Sequence, residues 1–198
     1  MAITNGYCTL NELKAALRIS DNTDDTLLEN AIEGASRRID GYCGRYFYQQ
    51  SATVKLFART EFHVFLTDDL VSITTLKTDD NGDFSFETTW TANVDYATEP
   101  YDSALLGVPI RRLTAIGAKT FPLYSVPLMP GVQIEGTWGY PSVPDDVREA
   151  CVLLAARGFA RYNAALGIVG FADMAMTIKA VDPDVRDFLN PYRKLAVA

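Results

Sequence analysis

Gly136-Thr-Trp-Gly-Tyr-Pro-Ser-Val-Pro-Asp-Asp-Val-Arg-Glu-Ala-Cys-Val-Leu-Leu-Ala-Ala-Arg-Gly-Phe-Ala-Arg-Tyr-Asn163 sets a strand end, a tight turn at Gly139-Tyr140-Pro141 and a long helix one after another. Pro144 stands near the first helical turn, where a missing N–H costs nothing. Asp145, Asp146 and Glu149 sit at the positive end of the helix dipole, and Arg157 and Arg161 near its negative end. Between them Ala150 to Ala156 carries no charge. Two turns that are apolar on every side predict a helix surrounded by protein, the central post of the fold.

Upstream, Thr9-Leu10-Asn11-Glu12 is a capping box that opens a short helix with Leu10, Leu13, Ala16 and Leu17 on one face. A polar link from Ser20 to Asp25 leads to a second helix, with Thr23 as its expected cap. Leu27, Leu28, Ala31, Ile32, Ala35 and Ile39 recur there at helical spacing, with Arg37, Arg38 and Asp40 off that face. Gly44 supplies the stop after Cys43. From Tyr46 the period falls to two. Phe62, Val64 and Leu66 alternate, as do Phe84, Phe86, Thr88 and Trp90, and Val132, Ile134, Gly136 and Trp138 do so most clearly. Asp80-Asn81-Gly82-Asp83 carries the Asn-Gly hairpin signal between two of these runs.

The pattern predicts an α+β fold. Its parts are an N-terminal helix pair (1–48), an inserted, mostly antiparallel β region (49–140), a central helix completing the bundle (141–163), and a C-terminal arm ending in a docking helix (164–198). Within the β region, residues 121–130 combine three prolines with six large apolar side chains: Phe121, Leu123, Tyr124, Val126, Leu128 and Met129. The prolines exclude a central strand. Two readings stand open, a loop folded against the sheet and an apolar contact loop for a neighbouring subunit. Residues 164–180, rich in Ala, Gly and Met, read as a flexible arm. Asp182-Pro183 then opens a short helix with Val185, Phe188, Leu189 and Tyr192 on one face, too short to stand alone in water. It must dock, either on its own core or on a partner.

Composition narrows function. Acidic residues outnumber basic ones by 25 to 18, a net charge of −7, with no Lys/Arg-rich run. That argues against a grip on nucleic acid through its phosphates. Three cysteines, Cys8, Cys43 and Cys151, show no metal spacing and fit a reducing compartment. The N-terminus lacks the pattern of a secretory signal, and no apolar run reaches membrane length, so synthesis and residence in a cytoplasm are expected. His63 stands alone in a strand with no nucleophile motif beside it. Asp79, Asp80, Asn81 and Asp83 lack the ligand order and closing Glu of a calcium loop, and a turn explains them better. The residues make no case for an enzyme, a cofactor or a metal.

Three stretches resemble the head–tail connector, or adaptor, proteins of tailed double-stranded DNA bacteriophages. Tyr7 to Ile19 with Asp24 to Leu28 looks like that family's opening helix pair. Gly136 to Pro144 with the Ala-rich helix after it looks like its most recognisable segment, and Asp182 to Arg193 is similar to its closing motif. The resemblance implies a structural virion protein: a ring, of twelve copies in the virion, that sits under the portal, extends the DNA channel and gives the tail its platform. Its implied partners are the portal protein, neighbouring copies, and the next neck or tail protein, with DNA only passing through and no membrane. Its implied location is the virion neck, after the host cytoplasm. Portal docking would fall to Val185, Arg186, Phe188, Leu189, Tyr192, Arg193 and Lys194, and removal of everything after Ala180 would spare the fold. The stretch 49–130 is longer than in compact members, so the resemblance assigns it no role. Another neck or tail ring component (a stopper or tail terminator) and a ligand-binding module on the β region are the alternatives.

Overall fold

The computed structural model describes residues 3–57, 62–122, 130–163 and 183–194. The chain divides into two compact units, Met1–Arg45 with Val143–Ala198, and Tyr46–Ser142. The first is helical and the second is built on one sheet, an α+β fold.

In the helical unit, α1 (Leu10–Leu17) starts on the capping box, with Thr9 Oγ1 accepting from the Glu12 N–H at 3.2 Å and the Glu12 carboxylate accepting from the Thr9 N–H at 2.7 Å. α2 (Asp25–Cys43) begins after Asp24, not Thr23, whose N–H is turned back to the Asp21 carboxylate at 2.9 Å. Gly44, in the left-handed region at φ 64°, ends it. α4 (Asp145–Asn163) packs against α1, α2 and α5 (Pro183–Leu189). Its uncharged middle predicts burial on every side. The unit instead buries one face, formed by Val147, Ala150, Cys151, Ala155 and Phe159, and leaves Val152, Leu153, Leu154 and Ala156 half-buried. These buried positions fall on one side at helical spacing, the side that packs most closely on the rest of the unit.

Asp40 departs from its expected outward position. It is buried, accepts a hydrogen bond from the Tyr7 hydroxyl, and lies 2.9 Å from Arg37 Nε. Burial raises its carboxyl above the usual range against the opposing pull of Tyr7 and Arg37.

The sheet unit comprises β1 (Gln50–Phe57), β2 (His63–Thr78), β3 (Thr88–Trp90), β4 (Tyr96–Glu99), α3 (Ser103–Leu106), β5 (Ile110–Ala115) and β6 (Val132–Trp138). Strand order is β1-β6-β2-β5-β4, with β3 beside the end of β2, and every strand pair is antiparallel. β2 is the shared strand. Its first half pairs with β5, its second with β6, and Leu70 faces both Ile110 and Trp138 at the changeover. β6 alternates as its sequence predicts, with Val132, Ile134, Gly136 and Trp138 turned inward. Trp138 stacks on Phe57 and donates its indole N–H to the Thr53 carbonyl at 2.8 Å.

Two glycines of the opening stretch are required by close backbone approach. A Cβ on Gly136 would fall 2.1 Å from the Ser72 carbonyl oxygen, beside an irregularity in the β2–β6 register. A Cβ on Gly139, whose φ is +112°, would fall 2.0 Å from the Tyr48 carbonyl oxygen. Phe62, expected in a strand, lies just before β2 and is exposed. Phe84 and Phe86 belong to no strand. Phe84 has φ 65° and gives its N–H to the Asp79 carboxylate at 2.9 Å, which withdraws it from any ladder.

Candidate functional site

The sequence directs attention to two surfaces and to two polar features. At the C-terminal surface, α5 and the 3₁₀ turn Asn190–Tyr192 lie against α2 and α4 of their own unit. Val185 and Leu189 are buried there. The Lys194 N–H reaches the Cys43 carbonyl at 2.8 Å, the Tyr42 hydroxyl bonds the Asn190 side chain at 2.6 Å, and the Tyr192 hydroxyl bonds the Asp146 carboxylate at 3.2 Å. The Arg193 guanidinium lies 5.6 Å from the centre of the Tyr42 ring. Val185 and Leu189 are therefore spent on seating the helix, so removing residues after Ala180 would take cover from α2 and α4. Arg186, Phe188, Tyr192, Arg193 and Lys194 keep exposed or half-exposed side chains.

Of the proline-rich contact loop, Leu123, Tyr124, Val126, Leu128 and Met129 lie outside the described residues, as does the arm 164–180. Phe121 is described and is buried, stacked on Trp90 with ring centres 4.5 Å apart. At that residue the chain follows the reading in which the loop folds against the sheet.

The two polar features resolve into local structure. Asp79 is fully buried and accepts from the N–H groups of Asn81 at 3.2 Å, Gly82 at 2.7 Å and Phe84 at 2.9 Å. Its carboxylate is thus satisfied by backbone donors and shapes the turn. Asp80 accepts from the hydroxyls of Thr78 and Thr88. His63 pairs through Nδ1 with the Thr114 hydroxyl at 3.1 Å and tilts against Phe65. Among the described residues no group of three or more His, Cys, Asp or Glu is placed to hold a metal ion. No helix among them is long and apolar enough to cross a membrane.

One surface escaped the sequence reading. α3 carries Leu105, 86% exposed, and Leu106, 62% exposed, beside Tyr101, 72% exposed. The four-residue helix is closed by Gly107 at φ 64°, with the Leu106 N–H on the Asp102 carbonyl at 2.9 Å. Separately, β1, the edge strand at the other end of the strand order, exposes Val54 and Leu56. The available signal was an apolar pair next to a glycine stop with no periodic partner. Apolar side chains left in water at a tip, and at a sheet edge, are the chemistry of association.

Comparison with known proteins gives a family match over part of the chain and a likeness of fold. The helix pair and the first part of the sheet region, residues 7–73, match the model of the phage gp6-like head-tail connector protein family. That match includes the opening helices on which the head–tail connector resemblance was read. In fold, the chain is similar to a chain of the neck of an empty GTA particle computed with C6 symmetry, with a TM-score of 0.57 at 19% identity, covering 100% of this chain and 95% of that one. It is similar also to a chain of the virion of a native gene transfer agent particle, with a TM-score of 0.54 at 20% identity and the same coverage. No curated protein matches.

Proposed function

We propose that this protein is a structural head–tail connector that assembles into a ring under the portal, extends the DNA channel and offers the tail its platform. The observation that carries the reading is the family match over residues 7–73, on a chain whose whole length has a neck-chain fold. Its work is assembly rather than catalysis. The ring holds twelve copies in the virion neck, formed after synthesis in the host cytoplasm, as the connector resemblance implies. A ring needs a head-to-tail contact between unlike faces that closes on itself. The exposed tip Tyr101, Leu105 and Leu106 supplies one apolar face, and the stretch Leu123 to Met129 is a second contact element.

Portal docking belongs to the accessible side of the C-terminal segment: Arg186, Phe188, Tyr192, Arg193 and Lys194. Val185 and Leu189 hold that segment in place from beneath. The next neck or tail protein meets the ring on its other side, and DNA only passes through.

The test is to mix the purified protein with a portal protein from the same source and to size the mixture by light scattering and electron microscopy. A ring stacked on the portal is expected. Leu105→Asp with Leu106→Asp should leave a folded monomer that no longer closes the ring. A protein that ignores the portal and instead caps tail tubes would overturn the connector assignment in favour of a tail terminator.

A further inference from the structure

Cys8 and Cys151 meet inside the helical unit with their sulfurs 3.4 Å apart, both buried. Cys8 lies just before α1 and Cys151 lies in α4, so their contact joins distant parts of the chain. A sulfur–sulfur bond is about 2.0 Å long, so closure needs a further approach of about 1.4 Å. Ser36 stands at the same point, its hydroxyl 3.5 Å from the Cys151 sulfur.

The two sulfurs are not equivalent. Cys8 donates its S–H to Cys151, and that hydrogen bond, followed by burial, pushes the Cys8 thiol far above its ordinary range. Cys151 is held below its ordinary value, first by the Cys8 donor and then, against burial, by the Ser36 hydroxyl and the backbone N–H groups of Tyr7 and Cys8. Of the two, Cys151 is the sulfur that gives up its proton more readily. Cys8 borders a cavity of about 720 Å³ together with Gly6, Tyr7 and Arg148, and the fully buried Cys151 sulfur is reached only past it, 3.4 Å from the Cys8 sulfur. Cys43 offers a comparison within the same unit. It is buried, pushed up to about 11 chiefly by burial, and its sulfur faces the Leu189 carbonyl at 3.9 Å.

We propose that Cys8 and Cys151 form a peroxide-responsive dithiol that closes into a disulfide and staples the segment before α1 to α4. Once deprotonated, the Cys151 sulfur attacks one oxygen of hydrogen peroxide, the O–O bond breaks, and the departing hydroxide takes up that proton to leave as water. This gives a sulfenic acid on Cys151. The Cys8 sulfur then attacks that sulfur, and its proton joins the displaced hydroxide as a second water. The two thiols lose two electrons and the peroxide gains them. The staple is independent of the ring reading and acts on the single chain.

The test treats the wild-type protein with about one equivalent of hydrogen peroxide, then blocks free thiols and maps peptides without reduction. A Cys8–Cys151 linked peptide with Cys43 still free is the expected result. The thermal midpoint should rise by about 5 °C or more, since the bridge closes a long loop, and fall back on reduction. In Cys8→Ser the sulfenic acid has no resolving thiol, and dimedone should label Cys151. The wild-type map decides by itself if that variant fails to fold. Recovery of Cys8 and Cys151 as free thiols, or as separate sulfinic acids with no linked peptide, would overturn the proposal.

Discussion

Gly136 and Gly139 show how far single atoms decide this molecule. The space a Cβ would need is occupied by the Ser72 and Tyr48 carbonyl oxygens, and backbone cannot move aside as a flexible side chain can. Gly136→Ala should therefore cost about 2 kcal/mol or more, read as a lower urea midpoint with little change in slope. Glu99 gives a second prediction at this scale. Its carboxylate accepts from Arg112 and from the Thr114 hydroxyl, and these bonds, Arg112 first, hold it below its ordinary value of 4.5. A lowered folded pKa contributes stability that is complete above the unfolded value and is lost as pH falls through the folded one. Glu99→Gln should thus lower the melting temperature at neutral pH, and the gap to wild type should close as pH drops below 4.5. The Arg112 side chain is 39% exposed, so the neutral-pH effect is about 1 kcal/mol or less.

Among the elements, α5 divides its residues between two tasks. Leu189→Ala removes a buried side chain and should cost about 2–4 kcal/mol in thermal or urea unfolding. Phe188→Ala acts at a half-exposed position, so it should cost less than Leu189→Ala and, on the connector reading, weaken portal binding measured by co-sedimentation. This split was only half legible. The spacing of Val185, Phe188, Leu189 and Tyr192 announces an apolar face, but not whether its cover is intramolecular. Elements fixed by neighbours in sequence were readable: the Thr9–Glu12 box, the Gly44 stop and the alternation of β6 all rest on local chemistry. The run from Phe84 to Trp90 is strand only at Thr88–Trp90, and its Phe84–Phe86 part misled because alternation is a pattern of side chains. What decides a strand is where the N–H groups go, and here a buried carboxylate at Asp79 collects them. Strand order and the Cys8–Cys151 contact depend on parts far apart in the chain, which no local pattern encodes.

For the molecule as a whole, a net charge of −7 sets its behaviour toward nucleic acid. Without a basic footprint there are few counterions to displace from duplex DNA. The isolated protein should leave linear DNA unretarded in a gel at physiological salt, which on the connector reading suits a channel through which DNA slides. A further consequence comes from the way the strands and helices find partners. Gln50 at the start of β1 pairs with Trp138 at the end of β6, and α2 packs on α4 across the whole intervening sheet sequence. During synthesis neither core can close when its first half leaves the ribosome. β1 and α2 must wait, unsatisfied, until the stretch around Trp138 and Val147 has emerged. Such late, long-range closure slows folding and lengthens exposure to misassociation. A nascent chain arrested before Val132 should therefore remain protease-sensitive throughout, whereas one released beyond Asn163 should acquire protection in both regions within a short interval.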